Sequence, residues 1–363
     1  MPHIAIYLPS LQTGGVQSVF IAVAHGLSDL GHRVTILTHE PAGPHAADLR
    51  DFANLVDAGG DGHIGHIRHL ARWIGRERPE ALLGGMWSAN VRLILARELS
   101  GRRPRLVISD HNAIMSRLYA PELRAWAVYA AARTCYCRAD ALIAVSDGVA
   151  RQSAQAFPCW RGRIRTIYNP VIDQRFEQNL AQHEDHPWFA PGPPMVIAAL
   201  SRLTPIKNHA MLVEAYADFV AQTGHPARLM IIGDGPSLPR LRQIASQRGV
   251  ADRVFFAGHR DNPLPLLKQA SLFVHPSLRE GFGNVIVEAM ACGVPVLVSD
   301  CPEGPREILE GGRFGHLVAP GDRLALVAAL ANAIARPIRP DPACLDRFRA
   351  GPIILEYERI LRV

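Results

Sequence analysis

Apolar residues form short continuous runs that alternate with stretches of helical periodicity from the start of the chain. Ile4–Leu8 and Val34–Thr38 are apolar runs, and Val16–Leu30 between them has apolar positions spaced for one face of a helix. Continuous apolar strands between helices are typical of a parallel sheet covered on both faces. The same alternation predicts helices at 64–74, 91–99 and 125–132 and strands at 81–83, 106–109 and 141–145.

The alternation stops between residues 171 and 194, a stretch that ends in His-Pro-Trp-Phe-Ala-Pro-Gly-Pro-Pro. Proline and glycine at this density break both periodicities, so we predict a linker at 171–194. It would join an N-terminal domain at 1–170 to a second domain at 195–345, and a helix at 346–363 would return to the first domain. The second series predicts strands at 196–200, 228–232, 254–256, 272–275 and 295–298 and helices at 210–223, 238–247, 263–268, 284–292 and 323–335.

This order of elements predicts an α/β protein with two doubly wound, Rossmann-like domains. Ligands bind such sheets outside the carboxyl ends of the parallel strands. The expected active site is therefore a central cleft that both domains face.

Composition narrows the class of protein. The chain has 363 residues, of which 48% are hydrophobic and 20% charged, enough for two packed cores. No apolar stretch reaches the ~18 residues that a membrane-spanning helix needs. The first eight residues lack the basic region of a secretory signal, so we expect a cytoplasmic protein.

Positive charge is concentrated in the first half. Residues 1–170 hold 19 arginines against 13 acidic residues, whereas residues 171–363 hold 20 basic and 20 acidic residues. Lys207 and Lys268 are the two lysines of the chain. The basic half suggests an anionic partner, although a solvated face with ordinary ion pairs is an equal alternative.

Cysteine and histidine spacing gives no metal site. The six cysteines include no Cys-x-x-Cys pair, which favours a reducing compartment. Cys135 and Cys137 are interpreted as buried helix thiols, and His63, His66 and His69 as a solvated turn, because structural zinc needs four ligands.

Two loops that follow predicted strands carry candidate anion ligands. Gly14-Gly15 lies between a strand and a helix, where glycine lets the backbone approach an anion near the helix N-terminus, or simply forms a tight turn. Arg202 and Lys207 follow the strand at 196–200 and can converge on one phosphate group, or remain two solvated cations.

The segment from Glu280 to Val296 contains the strongest signal. Glu280 precedes Gly281-Phe282-Gly283-Asn284, and Glu288 lies within the first turns of the next predicted helix. An acceptor oxygen near a helix N-terminus suits vicinal hydroxyls such as those of a ribose. Glu280 alone has the alternative of a solvated loop acid, but apolar neighbours make a buried Glu288 need a partner.

Glu280 and Glu288, with Gly-Phe-Gly after the first and Ala-Met-Ala-Cys-Gly-Val-Pro-Val after the second, resemble glycosyltransferase family 4. These are retaining nucleotide-sugar enzymes of the GT-B fold. The resemblance is dense from residue 196 to 322. Other matching segments, in chain order, are Gly14-Gly15-Val16, Tyr168-Asn169-Pro170, Ser201-Arg202-Leu203, Lys207-Asn208-His209, Gly233-Asp234-Gly235 and Pro302-Glu303-Gly304-Pro305.

The resemblance implies a site for a nucleoside diphosphate sugar. Arg202 and Lys207 would hold the diphosphate, and these two with Glu280 and His111 would be the catalytic residues. Glu280 would contact the donor sugar, His111 would contact it from the first domain, and Glu288 would accept from the ribose hydroxyls. Further donor contacts would come from Gly14, Gly15, Arg260, Gly281, Phe282, Gly283 and Asn284.

The family also implies the reaction. A hexosyl group would move with retention of configuration, by front-face substitution, to a lipid-linked or glycan acceptor of cell-surface polysaccharide or glycoconjugate synthesis. UDP is the favoured donor nucleotide because it is the commonest in the family. The chain has no Asp-x-Asp triplet, so we predict transfer without a metal or other cofactor.

In this family the first domain usually meets the acceptor, and its basic surface predicts contact with an anionic membrane, peripheral on the inner face. An apolar edge would assist. The basic residues considered are Arg68, Arg72, Arg76, Arg78, Arg102, Arg103, Arg105, Arg117, Arg124, Arg133 and Arg138. The apolar ones are Trp87, Met115, Leu118, Tyr119 and Trp126. Nucleic acid is not expected, because no reader motif is present.

Other classes remain as alternatives. A nucleotide-sugar epimerase, or another GT-B-fold enzyme acting on a small-molecule acceptor, would share the architecture. A pyridoxal phosphorylase is disfavoured by the context of both lysines, and a redox Rossmann protein by the missing Gly-x-Gly-x-x-Gly. A noncatalytic relative would not need Glu280 and Lys207. Glu303 replaces the serine of many relatives and would either alter sugar preference or face water.

Overall fold

The computed structural model describes residues 1–12, 14–111, 123–160, 162–190, 192 and 194–362. The chain forms two compact units. Unit 1 comprises Met1–Pro170 together with Arg347–Val363, and unit 2 comprises Val171–Asp346. Each unit has a parallel sheet with helices packed on it.

The sheet of unit 1 has seven strands in the order β3-β2-β1-β4-β5-β6-β7. Its pairings are parallel, with Ile4 of β1 opposite Val34 of β2 on one side and Ala81 of β4 on the other. The strands are β1 (His3–Tyr7), β2 (Arg33–Thr38), β3 (Asn54–Asp57), β4 (Ala81–Gly84), β5 (Arg105–Asp110), β6 (Ala141–Ala144) and β7 (Ile164–Thr166).

Two cores cover the two faces of this sheet. Ile4 and Ile6 of β1 enter one core and Ala5 and Tyr7 the other, because successive strand side chains point to opposite faces. The helices of unit 1 are α1 (Gly15–Asp29), α2 (Ala46–Arg50), α3 (Gly62–Glu77), α4 (Trp87–Leu99), α5 (Leu123–Cys135), α6 (Asp147–Ala156) and, at its C-terminal end, α14 (Ala350–Leu361).

The sheet of unit 2 has six parallel strands in the order β10-β9-β8-β11-β12-β13. The strands are β8 (Val196–Leu200), β9 (Arg228–Ile232), β10 (Val254–Gly258), β11 (Leu272–His275), β12 (Val296–Ser299) and β13 (His316–Val318). The helices are α7 (Gln174–Ala181), α8 (His209–Thr223), α9 (Leu238–Gln247), α10 (Leu264–Leu267), α11 (Asn284–Ala291), α12 (Pro305–Ile308) and α13 (Arg323–Ala335).

Helix α14 packs on unit 1. Ile353, Ile354 and Tyr357 are buried in the same core as β1 and α1. A Cβ on Gly26 of α1 would lie 2.6 Å from Ile354 Cγ1, so the two helices meet closely at this glycine. Glu358 Oε1 also lies 2.8 Å from His32 Nε2. The end of the chain is therefore part of the first core.

The linker prediction at 171–194 is wrong for most of that segment. It contains α7, which begins where Asp173 Oδ1 accepts a hydrogen bond from the Phe176 amide. Lys268 Nζ donates to the carbonyls of Leu180 and Gln182, at 2.9 and 2.6 Å, and holds the helix end on unit 2. Proline and glycine cluster after residue 186, and their density obscured the helix before them.

The cysteine prediction is also corrected. Cys137 is exposed and forms a disulfide with exposed Cys159, 22 residues later. The bond joins two one-turn 3-10 helices, Tyr136–Arg138 after α5 and Pro158–Trp160 after α6. Cys135 is a buried free thiol, as expected.

Several short elements escaped the periodicity argument. Strand β3 is an edge strand of four residues that are half-buried or exposed, and β7 and β13 have three residues each. Such strands offer no continuous apolar run. Helices α2 and α6 were missed for the same reason, since α6 has four buried residues among polar ones.

Two surface expectations do not fit. Trp87 is 7% exposed and belongs to a core of unit 1, so it does not form an apolar edge for membrane contact. His66 lies on α3 with its ring stacked on His39, at 3.6 Å between centroids, and is not a solvated turn residue. Met115, Leu118, Tyr119 and Arg117, and the side chains of Arg124 and Trp126, lie outside the described residues. Within the described residues, no helix is long and apolar enough to cross a membrane.

Candidate functional site

Glu280 and Lys207, 73 residues apart in sequence, meet in unit 2. Glu280 Oε1 accepts a hydrogen bond from Lys207 Nζ and lies 2.6 Å from Nε2 of His275. The Glu280 side chain is 10% exposed, and that of His275 is 2% exposed. The carboxylate thus lies between two basic side chains at the carboxyl edge of the sheet, where parallel α/β sheets bind ligands.

Backbone bonds bring these two loops together. Lys207 ends the 3-10 turn Pro205–Lys207 after β8, and Glu280 lies in the loop after the adjacent strand β11. The carbonyl of Ile206 accepts bonds from the Leu278 amide at 2.8 Å and from Ser277 Oγ at 3.2 Å. The position of Lys207 is therefore set by the loop that carries Glu280.

Electrostatics keep Glu280 ionised. Burial alone would raise the pKa of Glu280, but His275 and Lys207 outweigh it and lower the pKa to about 2. His209, at the start of α8, is 2% exposed, and burial, with smaller contributions from His275 and Lys207, lowers its pKa to about 3. His209 is therefore neutral beside the charged group.

A glycine loop leads from Glu280 into α11. Gly283 is the N-cap of α11 with φ 102°, a conformation that favours glycine. Gly281 and Phe282 are buried, and Asn284 is the first residue of the helix. The first turn of α11 supplies amide donors and a partial positive charge beside Glu280, an arrangement suited to phosphate or hydroxyl oxygens.

Glu288, on α11, is half-buried, and its carboxylate has no hydrogen-bond or ion-pair partner among the described residues. Burial raises the pKa of Glu288 to about 7. An acceptor without an internal partner is suited to binding donors from outside the chain, such as ribose hydroxyls.

Glu303 is 5% exposed, so the alternative in which it faces water is wrong. The residue after it, Gly304, has φ 61°, and a Cβ there would lie 2.2 Å from the Phe282 carbonyl oxygen. The segment 302–305 therefore packs directly against the glycine loop.

The two predicted arginines have different settings. Arg202 is exposed in the loop after β8. Arg260 is half-buried after β10, with Nη1 3.6 Å from Glu184 Oε1 in the segment that precedes β8.

The predicted residues of unit 1 follow β1 and β5. Gly14 is the N-cap of α1, with extended backbone, and its carbonyl accepts from the Ser18 amide at 3.0 Å, while Gly15 opens the helix. His111 is 8% exposed, and its Nε2 lies 3.2 Å from Ser109 Oγ. Burial lowers the pKa of His111 to about 3, so the ring is neutral.

A buried carboxyl group fixes the end of β5 next to His111. Asp110 accepts hydrogen bonds from Tyr136 Oη at 3.3 Å and from Ser153 Oγ at 3.1 Å. Burial raises the pKa of Asp110 to about 7, and these two bonds oppose the rise.

His275 was missed by sequence reasoning, and His209 was recorded only as part of a matching segment. The available signal for His275 was a histidine at the end of an apolar strand, five residues before a candidate carboxylate. Among the described residues, no group of three or more His, Cys, Asp or Glu side chains is placed to hold a metal ion.

Two parallel α/β units and this set of residues define a class of enzyme, the glycosyltransferases of the GT-B fold. Residues 13–175 match the family model described as Glycosyltransferase Family 4, and residues 194–336 match the model described as Glycosyl transferases group 1. The chain belongs to glycosyltransferase family 4.

Among its relatives is the lipopolysaccharide core biosynthesis glycosyltransferase LpsE of Rhizobium meliloti, 30% identical over 89% of this chain and 86% of LpsE. N-acetyl-alpha-D-glucosaminyl L-malate synthase of Bacillus anthracis is 27% identical over 73% of this chain and 70% of that enzyme. The structure of Anabaena HepE in complex with UDP has a TM-score of 0.78 at 21% identity, over 99% of both chains. This likeness confirms the GT-B fold.

Proposed function

We propose that this glycosyltransferase moves a sugar from a nucleoside diphosphate sugar to a lipid-linked or glycan acceptor, with retention of configuration. The observation that carries the proposal is the Lys207–Glu280–His275 cluster beside the N-terminus of α11. Cleavage of the donor leaves a nucleoside diphosphate anion, and preorganised cations and amide dipoles stabilise such a charge.

Donor binding replaces an existing interaction. Lys207 pairs with Glu280, so an incoming diphosphate competes for its ammonium group. Glu280 then remains bonded to His275 and is available to the donor sugar's hydroxyls, with its charge near the anomeric carbon. Arg202, exposed in the neighbouring loop, is the second diphosphate ligand, and Glu288 accepts from the ribose.

Relatives support this choice of substrates. The names of LpsE and of a Campylobacter jejuni relative that is 27% identical over 187 residues place them in lipopolysaccharide synthesis and on a diphospho-undecaprenol acceptor. HepE structures hold UDP and UDP-glucose. We therefore favour UDP as the nucleotide and a cell-surface glycan or lipid-linked sugar as the acceptor.

Side-chain cations provide the charge that a metal would otherwise supply, so we propose metal-independent transfer. Turnover should persist in excess chelator, and loss of turnover that one divalent ion restores would contradict this part. The anomeric configuration of the product, read by NMR, tests retention.

The central test is transfer and hydrolysis with a panel of UDP-, GDP- and ADP-sugars. Lys207→Ala and Glu280→Gln should each lower turnover by roughly 100-fold or more, the scale of removing one preorganised electrostatic contact. Lys268→Ala is the matched control, because this lysine contacts only backbone carbonyls of the α7 region among the described residues. Unchanged turnover in Lys207→Ala and Glu280→Gln would refute the site.

We also propose that unit 1 contacts an anionic membrane surface from the cytoplasmic side. Unit 1 has 23 arginines against 15 acidic residues, and Arg68, Arg72, Arg76 and Arg78 are exposed in and after α3. Flotation with liposomes that contain anionic lipid should carry the protein in a salt-sensitive way. Absence of flotation at low salt would remove this proposal.

A further inference from the structure

Four side chains of unit 1 meet at the carboxyl edge of its sheet. Tyr7 ends β1, His39 follows β2, His66 lies on α3, and Arg92 lies on α4. Tyr7 Oη contacts His39 Nε2, and Arg92 Cζ lies 5.9 Å from the centre of the Tyr7 ring. Strands β1 and β4 are neighbours in the sheet, and the chain continues from β1 to β2 on one side and from β4 to β5 on the other. Parallel α/β sheets open a crevice for ligands at the point where the strand order reverses in this way.

Arg92 orders this group. Its Nε donates to the Ser88 carbonyl at 3.0 Å, and its Nη1 donates to His39 Nε2 at 3.1 Å and to His66 Nδ1 at 3.3 Å. A guanidinium only donates hydrogen bonds, so both of these histidine nitrogens are acceptors. Each ring is then neutral and carries its proton on the other nitrogen, Nδ1 in His39 and Nε2 in His66.

The positive charge of Arg92 is not balanced nearby. Arg92 is 9% exposed, and no carboxylate of the described residues lies within ion-pair distance of its guanidinium. Buried charges in proteins are ordinarily paired. A network that served stability alone would place a carboxylate here, as Arg97 has in Asp140 at 2.6 Å.

The surrounding groups leave the cluster electropositive. Burial lowers the pKa of His39 to about 4, and His66 and Arg92 contribute in the same direction. Burial, Arg92 and His63 lower the pKa of His66. Exposed Asp57, at the end of β3, acts in the opposite direction on both rings and is outweighed. A metal ion is disfavoured by the adjacent guanidinium.

We infer that Arg92, His39 and His66 form a binding site for an oxyanion, a phosphate or carboxylate group, carried by the acceptor. The inference rests on the proposed function. An oxyanion would supply the missing negative charge and accept a charge-assisted hydrogen bond from Arg92. The two histidines are half-buried, and an anion beside them favours their protonated forms, which exchange the bond from Arg92 for a bond to the anion.

The direct test titrates the intact protein with inorganic phosphate and, separately, with succinate while the ring nitrogen signals of His39 and His66 are followed by NMR. The variants His39→Gln and His66→Gln each lack one ring and so show which signal belongs to which histidine. Either anion should shift both signals and raise both pKa values. Phosphate alone would identify a phosphorylated acceptor and succinate alone a carboxylated one. Failure of both anions to move the signals overturns the inference.

Variants separate binding from a structural role. Arg92→Gln should lower the affinity for the anion by roughly tenfold or more, as expected for a lost hydrogen bond to a charged group. Arg151→Gln, at an exposed position of α6, removes the same charge from unit 1 and should leave anion binding unchanged. If Arg92→Gln does not fold, His66→Gln replaces it in the experiment, and it should also lower the affinity for the anion.

Kinetics distinguish this inference from the proposed function. Phosphate should raise the apparent KM for the acceptor, and Arg92→Gln should abolish this effect while donor hydrolysis, and any effect of phosphate on the donor KM, remain. Competition with the donor alone would contradict the inference. Anion binding in a protein without transferase activity would instead contradict the proposed function.

Discussion

Two glutamates eight positions apart have opposite environments. Glu280 contacts two basic side chains, which lower its pKa to about 2, whereas burial without a partner raises the pKa of Glu288 to about 7. The charge of Glu280 is therefore constant near neutral pH, and that of Glu288 changes there.

Glu288 should make stability depend on pH. Its pKa is raised above the ordinary value of 4.5, so its contribution to stability is complete below about pH 4.5 and is lost as pH rises through about 7. Glu288→Gln removes this loss. The Tm of the variant relative to the wild type should rise between about pH 5 and pH 8 in thermal melts.

Glu280→Gln is the matched comparison for that experiment. The pKa of Glu280 is lowered, so its contribution is present above about pH 4.5 and is lost only as pH falls through about 2. Its Tm difference from the wild type should therefore be flat from about pH 5 to pH 8. A flat difference for Glu288→Gln as well would show that this carboxyl has an ordinary pKa.

At the scale of elements, the contact between the segment 302–305 and the glycine loop allows a paired test. Gly304 and Gly293 have φ of 61° and 74°, so alanine is strained at either by about 1 kcal/mol or more. Only at Gly304 would the added Cβ meet backbone, at Phe282; at Gly293 nothing lies within 4 Å. Gly304→Ala should weaken nucleotide binding measured by calorimetry, and Gly293→Ala should lower Tm alone. Equal nucleotide affinity in both variants would show that the loop position does not depend on this contact.

The Cys137–Cys159 disulfide encloses β6 and α6. Closing a loop of this length stabilises a fold by about 3 kcal/mol in the chain-entropy model. The double variant Cys137→Ser, Cys159→Ser should lose stability of that order in denaturant unfolding under oxidising conditions, and reductant should remove the difference. Cys292→Ser changes a free cysteine and keeps the disulfide, so its stability should equal that of the wild type both with and without reductant. If the double variant remained less stable than the wild type in reductant, the loss of stability would come from the serine side chains and not from the missing disulfide.

The sequence predicts long apolar elements well and polar edges poorly. Strands β8, β9 and β11 have the bounds that their apolar runs predict, because buried central strands leave no polar position to interrupt the run. Strand β3 is half-buried or exposed at the sheet edge, and α7 has Phe176 as its one buried residue among mostly polar ones, so neither shows a continuous apolar run.

Site residues divide in the same way. Glu280 and Lys207 were predicted individually, and the structure brings them together. His275, the second partner of Glu280, ends strand β11, and an apolar run that ends in histidine is typical of a buried core strand. The contacts of Arg92 with Tyr7 and His39 span 85 and 53 positions, a pairing that only the order of strands creates.

At the scale of the whole molecule, charge follows the units more sharply than the halves of the chain. Unit 1 has 23 basic and 15 acidic residues, and unit 2 has 16 basic and 18 acidic residues. The excess of basic residues is larger in unit 1 than in residues 1–170, because α14 and its flanks belong to unit 1 and add four arginines and two glutamates.

Unit 1 should depend on α14 for its stability. Ile354→Ala removes a side chain that is 4% exposed and packs against α1, at an expected cost of about 2–5 kcal/mol in the free energy of unfolding. Leu355→Ala is the neighbouring control, since Leu355 is 48% exposed. Denaturant titration of both variants measures the difference, and similar values for the two would show that α14 contributes little.

Because residues from both ends build unit 1, unit 2 is an insertion within it. On the ribosome, the whole of unit 2 is translated before α14. Until α14 is made, the face of α1 around Gly26, on which α14 packs, stays uncovered in the first 170 residues. A released chain that ends at residue 346 should accordingly be held by chaperones and cut by proteases in unit 1, while unit 2, which is complete in that chain, is protected.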